Sequence, residues 1–201
     1  IEGYRYHQKK SKEASKKEAL SLLHRFSFKV PESIYNHYSF ELSGGMRQRA
    51  LCAMGAALRP LWLIADEPTK GLDAIIRQQV YEVFRDLRKE TGINIIMITH
   101  DLMLARKLSD TVIVLYGGVI LEQGSTAQIF KNPRHPYTKG LMEAQPGRSM
   151  KPIPGMVPSL IDLPEGCKFH PRCPYCMDRC RTEEPEMVKI KESDVRCFLY
   201  D

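Results

Sequence analysis

The apolar positions before Pro60 predict helices. Residues 1–30 carry a modest apolar stripe at helical spacing in a polar, basic background. Ser43 is a good N-cap for a second helical run, which extends to about Leu58 and is ended by the proline. Between these runs, the stretch that contains Pro31 predicts an irregular loop.

Continuous apolar runs alternate with helical patterns in the middle of the chain. The runs LWLIA at 61–65 and INIIMIT at 93–99 predict strands that are buried on both faces of a parallel sheet. A helix is predicted over 74–90 between them, and TVIVLY at 111–116 predicts a third strand, followed by a hairpin return. This order predicts an α/β fold with right-handed crossovers.

The texture of the sequence changes after residue 131, where proline and glycine become frequent. One short helix is predicted near Tyr137–Ala144, within an arm that is otherwise extended. Five of the six cysteines lie between residues 167 and 197. Together with the elements above, this predicts three regions: a helical part at 1–59, an α/β part at 60–145 and a Cys-rich part at 146–201.

Three polar residues follow the two apolar strands. Asp66 and Glu67 come at the end of the first strand and His100 at the end of the second, so a parallel sheet places all three at one edge. One carboxylate can hold Mg²⁺, and the other can polarise a water against a γ-phosphate. A neutral His100 can bond a phosphate oxygen or the attacking water. The alternatives are two solvated carboxylates and a simple polar histidine at a strand end.

The segment LSGGMRQR at 42–49 has the pattern of a phosphate-binding turn. Gly44 and Gly45 have no side chains, so their backbone can approach an anion closely. The N–H groups and the dipole of the following helix also favour phosphate. The alternative is an ordinary turn capped by Ser43. The chain contains no G-x-x-x-x-G-K-[ST] sequence, which is the usual phosphate loop of a nucleotide hydrolase.

Charge and hydropathy narrow the classes of protein further. The net charge is +6, and much of the excess lies within residues 4–25. A basic run of this kind binds nucleic acid or an anionic membrane surface, or is a solvated helical face. No apolar run is long enough to cross a bilayer. Because the chain starts at Ile1 within a helical pattern, we expect it to be a piece that lacks its N-terminal part.

The clustered cysteines predict a metal site. Clustered thiols in a cytosolic protein bind a metal or an iron–sulfur cluster more often than they form disulfides. Four thiolates suit either an iron–sulfur cluster or zinc, and reduced thiols without a metal are the alternative. Cys52 stands apart from this group, and we expect it to be a small buried side chain.

Taken together, these motifs closely resemble the nucleotide-binding subunits of ATP-binding cassette (ABC) transporters, over residues 1 to about 145. On this resemblance, Leu42–Met46 is the signature motif, Leu61–Asp66 is the Walker B strand and KGLD at 70–73 is the D-loop. Glu67 is the catalytic glutamate and His100 is the switch histidine.

The resemblance implies the C-terminal part of an ABC-type P-loop ATPase, with a helical subdomain, a parallel-sheet core and a Cys-rich C-terminal extension. It implies ATP and Mg²⁺ as cofactors. ABC cassettes work as head-to-tail pairs, so Ser43 and Gly45 would contact the γ-phosphate of a nucleotide held by the opposite subunit. Because the Walker A phosphate loop is absent, we expect this chain alone to be inactive. The nucleotide-binding residues implied are Ser43, Gly44, Gly45, Met46, Asp66 and Asp73.

The end of the chain is similar to the oligopeptide, dipeptide and nickel importers of this family. The similar segments are NPRHPYTKGLMEA at 132–144 and GCKFHPRCPYCMDRC at 166–180. Some members hold a four-iron four-sulfur cluster on a C-x5-C-x6-C pattern and a later cysteine. The matching residues are Cys167, Cys173, Cys180 and Cys197, with Cys176 as an alternative ligand and zinc as the alternative metal.

The leading hypothesis is the ATP-binding and hydrolysing subunit of an importer for peptides or nickel, bound peripherally at the cytoplasmic face of the cell membrane. The implied partners are a second ABC ATPase subunit, identical or not, two transmembrane permease subunits and an extracellular solute-binding protein. No nucleic acid is expected. Two alternatives are a soluble ABC ATPase without a membrane partner and a chain that serves mainly as an iron–sulfur or zinc module.

Overall fold

The computed structural model describes residues 1–201 and contains nine α-helices and six β-strands. The chain divides into two compact units, Ile1–Leu108 and Ser109–Asp201. The three regions predicted from the sequence follow the motifs, whereas these two units follow the contacts within the fold. The three regions therefore stay a prediction.

The first unit contains six helices and one two-stranded parallel sheet. In the sheet, Trp62 pairs with Asn94 at one end and Asp66 with Ile98 at the other. The elements are α1 (Glu2–Gln8), α2 (Lys12–Arg25), α3 (Pro31–Asn36), α4 (Gly44–Ala56), β1 (Trp62–Asp66), α5 (Ala74–Thr91), β2 (Asn94–Ile98) and α6 (Leu102–Leu108).

The helix predicted over 74–90 is confirmed as α5. The side chain of Asp73 caps its first turn, and Gly92 ends it in the left-handed conformation at φ 67°. The loop predicted around Pro31 is partly wrong, because α3 begins at this proline. Proline suits the first helical position, since its missing N–H has no partner there in any case.

The core of the first unit lies between helices α2, α4 and α5 and one face of the sheet. The inward side chains of β1 and β2 are Leu63, Ala65, Ile95 and Met97. The buried residues around them are Phe26, Phe28, Ala53, Ala56, Val80, Val83, Phe84, Leu87 and Ile93.

The prediction that β1 and β2 are buried on both faces is wrong for the chain described. Successive side chains of a strand point to opposite faces. The outward residues Trp62, Ile64, Ile96 and Ile98 are 59%, 66%, 47% and 52% exposed. Both faces are therefore apolar, but helices of this chain cover only one of them.

The second unit is built on a four-stranded antiparallel sheet in the order β3-β4-β6-β5. The predicted hairpin is confirmed, but β3 pairs with β4 and is not a third strand of the parallel sheet. The elements are β3 (Thr111–Tyr116), β4 (Val119–Ser125), α7 (Thr126–Lys131), α8 (Pro136–Glu143), α9 (Arg179–Thr182), β5 (Met187–Ile190) and β6 (Ser193–Arg196).

The cysteine-bearing part of the chain belongs to the core of this second unit. Strand β6 pairs with β4, and Cys197 follows directly after the last residue of β6. Cys167, Phe169 and Cys180 are buried with Tyr116 and Leu121 in one apolar cluster. None of the helices in either unit has the length and apolar character needed to cross a lipid bilayer.

Candidate active site

The structure brings Glu67 and His100 together at the carboxyl ends of β1 and β2. The N–H of Glu67 donates to the carbonyl of Ile98 at 2.8 Å, which extends the parallel ladder by one residue. The Nδ1 atom of His100 lies 2.7 Å from Oε2 of Glu67. Glu67 and His100 therefore lie at one edge of the sheet, as the parallel pairing of the strands predicts.

The backbone of Glu67 has an unusual conformation. Its φ is 46°, in the left-handed region that costs a non-glycine residue about 1–3 kcal/mol. The tight turn that follows holds this conformation: Lys70 N–H donates to the carbonyl of Glu67 at 3.0 Å and Leu72 N–H to that of Thr69 at 3.2 Å. Strain of this kind is commonly found where a fold must aim a functional side chain.

The carboxyl group of Glu67 is only partly accessible, whereas His100 lies at the surface. Their side chains are 29% and 76% exposed. The Oε2 atom is enclosed by the protein and makes no hydrogen bond of good geometry, although Nδ1 of His100 lies close to it. Because Oε2 is enclosed by the protein, the accessible oxygen of this carboxyl group is Oε1, and a general base would accept the proton there. Asp66, the neighbouring carboxylate, is exposed and free to face a cation.

Asp101 was not predicted from the sequence as part of this site. Its Oδ1 atom accepts the N–H groups of Met103 and Leu104, each at 3.0 Å, and so begins α6 directly after His100. Its other oxygen lies 3.8 Å from the guanidinium group of Arg77 on α5. Asp101 thus links the start of α6, directly after His100, to α5. An Asp followed by a helical run is an N-cap signal that could have revealed it.

The signature turn is a capped helix start, as predicted. Ser43 accepts the N–H of Met46 on its Oγ at 3.3 Å, at the beginning of α4. Ser43 and Gly44 are exposed, so the free N–H groups of the first turn face solvent. This arrangement can bind an anion from outside the chain.

Gly45 has a packing role that its sequence context did not indicate. It is buried, and a Cβ atom at this position would overlap with Cγ2 of Ile76 on α5. Asp73 caps that same helix by accepting the N–H of Ile76 at 2.9 Å. The first turn of α4 thus packs closely against the first turn of α5, through Gly45 and Ile76. Met46 packs against the apolar core and is partly buried.

The clustered cysteines are all free thiols. Burial raises the pKa of Cys167, Cys173 and Cys197, in the case of Cys173 to about 11, and neighbouring thiols raise each of these pKa values further. The thiols are therefore close neighbours. No group of three or more His, Cys, Asp or Glu side chains has the arrangement of a metal site. The iron–sulfur prediction is not supported by the structure as it stands.

Comparison with curated proteins finds similarity to transport ATP-binding proteins. Residues 121–180 match the family model described as the oligopeptide/dipeptide transporter, C-terminal region. The chain is 45% identical over 177 residues to the dipeptide transport ATP-binding protein DppD of Caldanaerobacter subterraneus, which covers 85% of this chain and 54% of that protein. It is 41% identical over 202 residues to the oligopeptide transport ATP-binding protein AppD of Bacillus subtilis, which covers 98% and 62%. The chain thus spans little more than half the length of these relatives.

Solved structures identify the fold. The dimeric, post-hydrolysis ATP-binding cassette MJ0796, bound to ADP and Pi, matches with a TM-score of 0.52 and 30% identity, over 58% of this chain and 49% of that one. The cassette cbiO1 of Clostridium perfringens matches with a TM-score of 0.54 and 29% identity, over 61% and 48%. The predicted ABC-type α/β fold is confirmed, whereas the Cys-rich extension stays a prediction.

Proposed function

The chain is related along nearly all of its length to ATP-binding proteins of dipeptide and oligopeptide transport, and we propose that it forms part of an ATPase that energises a peptide importer. The observation that carries this proposal is the contact between Glu67 and His100 at the carboxyl ends of two parallel strands. Ligands of open α/β sheets bind at this edge.

Glu67 is the proposed general base. Its carboxyl group is partly exposed, and since Oε2 is enclosed beside His100, Oε1 would accept the proton from a water molecule that attacks the γ-phosphate. His100 orients that carboxyl group and, being exposed, can itself reach a phosphate oxygen. Asp66 would hold Mg²⁺, directly or through water, and the bound ion would neutralise charge on the phosphates.

The signature turn is proposed to act on a nucleotide bound by another subunit. Ser43 and Gly44 stand at an exposed helix start, where backbone N–H groups and the hydroxyl group can contact a γ-phosphate. The dimeric cassette MJ0796 supports an arrangement in pairs. Closure and reopening of such a pair would drive two transmembrane permease subunits between two access states. The second ATPase subunit is either identical to this one or a related chain.

The proposed cargo is a peptide, because the relatives are dipeptide and oligopeptide transport proteins. An extracellular solute-binding protein would deliver it, and the ATPase would lie at the cytoplasmic face of the membrane. Nickel is the alternative cargo. Uptake of labelled dipeptide and of labelled nickel by vesicles that hold the complete transporter would distinguish the two.

The function is tested by ATP hydrolysis in the full-length protein, assembled with its permease subunits. Glu67→Gln should lower the single-turnover rate about 100-fold or more while ATP still binds, because it removes the base. Glu82→Gln is the matched control, since Glu82 is an exposed carboxylate on α5, outside the strand-end site, that accepts a hydrogen bond from Gln78. Unchanged hydrolysis in Glu67→Gln would rule out this mechanism.

A finer part of the proposal concerns the four thiols of Cys167, Cys173, Cys180 and Cys197. The chemistry of this donor set fits a thiolate-bound iron–sulfur cluster or zinc, because the thiols are free and close to one another. The side chains must move to become ligands, since they do not form a ligand group as placed. Iron and zinc analysis after anaerobic purification should find one metal site, lost in Cys173→Ser and kept in Cys52→Ser. Metal-free protein would refute it.

A further inference from the structure

Cys176 is the thiol that the proposed ligand set leaves over, and it has a close partner. Cys176 and Cys180 belong to the same cluster of the second unit, and both are free thiols. Cys176 is partly exposed, whereas Cys180 is buried. A reagent from solution therefore reaches Cys176 first.

The peptide groups of Met177 hold both sulfur atoms. Its carbonyl accepts the thiol of Cys176 at 3.5 Å and the backbone N–H of Cys180 at 3.0 Å. Its N–H donates to Sγ of Cys180, also at 3.5 Å. Each sulfur atom thus lies 3.5 Å from a backbone atom of the same residue. In agreement, the pKa of Cys176 is raised by burial and, against the effect of Arg181, by a side-chain contact with Cys180.

We propose that Cys176 and Cys180 form a reversible disulfide, so that the pair is a redox modification site whose oxidant is a low-molecular-weight disulfide. The thiolate of Cys176 attacks one sulfur of the oxidant and releases the first small thiol. The thiolate of Cys180 then attacks the Cys176 sulfur and releases the second. The disulfide of the oxidant is broken, the protein disulfide is formed, and the two protons leave on the small thiols.

The other cysteines are less suited to this reaction. Cys167 lies near Cys180, since its N–H donates to the carbonyl of Cys180 at 2.9 Å, but it is buried together with it. An oxidant would find no accessible member in that pair. Cys173 is partly exposed, but unlike Cys176 its sulfur shares no hydrogen-bonded residue with Sγ of Cys180.

The pair also connects with the proposed metal site. Cys180 is one of the four proposed ligands, so a sulfur that is bound to Cys176 is no longer available to a metal. Oxidation of the pair and metal binding would then exclude each other. This consequence rests on the proposed thiolate site, whereas the disulfide itself does not.

The test maps disulfides in the full-length protein. The protein is incubated with oxidised glutathione and EDTA, which removes any bound metal, then acidified, digested with pepsin and sequenced by mass spectrometry. The expected main product is a Cys176–Cys180 linkage that dithiothreitol reverses. Cys173→Ser and Cys52→Ser are the controls and should keep this linkage.

The variant Cys180→Ser separates the two steps. It should stop after the first step, so that Cys176 accumulates as a stable mixed disulfide with glutathione. In the wild-type protein, linkage of Cys180 to Cys167, Cys173 or Cys197 would overturn the proposal. So would a lasting glutathione adduct on Cys176, or thiols that all stay reduced.

Discussion

The strand-end site of the first unit and the thiol cluster of the second unit hold their reactive groups in different ways. Glu67 and His100 meet because two short strands run parallel and end together. Their contact lies at the surface edge of a sheet. Four of the cysteines instead lie within an apolar cluster, and Cys197 follows β6, which pairs with β4.

The two sites therefore differ both in their exposure to solvent and in how much they contribute to the packing of their unit. At the strand ends, His100 is exposed and Glu67 is partly exposed, and their positions depend on a few backbone hydrogen bonds within the first unit. The thiols are part of the packing of the second unit, and burial raises the pKa values of Cys167, Cys173 and Cys197. Changes to buried polar contacts in the second unit should therefore affect folding more than equivalent changes at the strand-end site.

The largest effect is expected from Glu122→Ala in the second unit. Glu122 is fully buried, and its two oxygens accept the N–H groups of Arg134 and His135 at 2.7 and 2.9 Å. The variant leaves two buried donors without partners, which should lower the free energy of unfolding by about 4 kcal/mol. Urea denaturation measures this loss. Glu122→Gln keeps one acceptor, so its free energy of unfolding should fall by less. Equal losses in the two variants would contradict the stabilising role of these two hydrogen bonds.

A pH dependence of similar size should arise from His135. Burial, and secondarily Lys139, lowers its pKa from 6.5 to about 4. The unfolded chain therefore binds more protons between these values, so stability is complete above pH 6.5 and falls as the pH falls towards 4, by up to about 3 kcal/mol.

Urea titrations across this pH window would measure the dependence on His135. His135→Asn should flatten the curve, because its amide oxygen can replace Nδ1 as acceptor of the Tyr137 N–H at 3.0 Å without titrating. An unchanged slope in this variant would assign the pH dependence to other groups.

Local patterns were enough to predict the strand-end site but not the thiol cluster. The apolar runs before Asp66 and before His100 indicated parallel strands, and parallel strands place their ends together. Strands β5 and β6 were not predicted, because MVKI and SDVR are short and only weakly apolar. Long-range pairing of this kind depends on contacts that no local window contains. The packing of Gly45 against Ile76 was missed for the same reason.

Gly45→Ala should have the next largest effect, this time in the first unit. The added methyl group overlaps with Ile76, so α4 and α5 must shift, at a cost of about 2 kcal/mol in unfolding free energy. Gly44→Ala is the matched control, because its Cβ would meet only Leu72 at 3.9 Å. Thermal unfolding of both variants would show the difference. Equal melting temperatures would mean that Gly45 is needed only for the approach of an anion.

The smallest effect on stability is expected from Asp101→Ala. Loss of the cap of α6 should cost about 1 kcal/mol, because two N–H groups lose their acceptor. Hydrolysis should fall further than this loss explains, since His100 would no longer be held in place. Asp101→Asn keeps an acceptor and should restore most of the activity. Full activity in Asp101→Ala would show that the histidine needs no such support.

The contact between Glu67 and His100 is tested most directly by a double-mutant cycle on single-turnover ATP hydrolysis in the assembled, full-length transporter. If the two side chains act as one unit across their 2.7 Å contact, Glu67→Gln combined with His100→Ala should lower the rate little more than Glu67→Gln alone. If the two losses instead multiply, the residues act independently, and the account of this site is wrong.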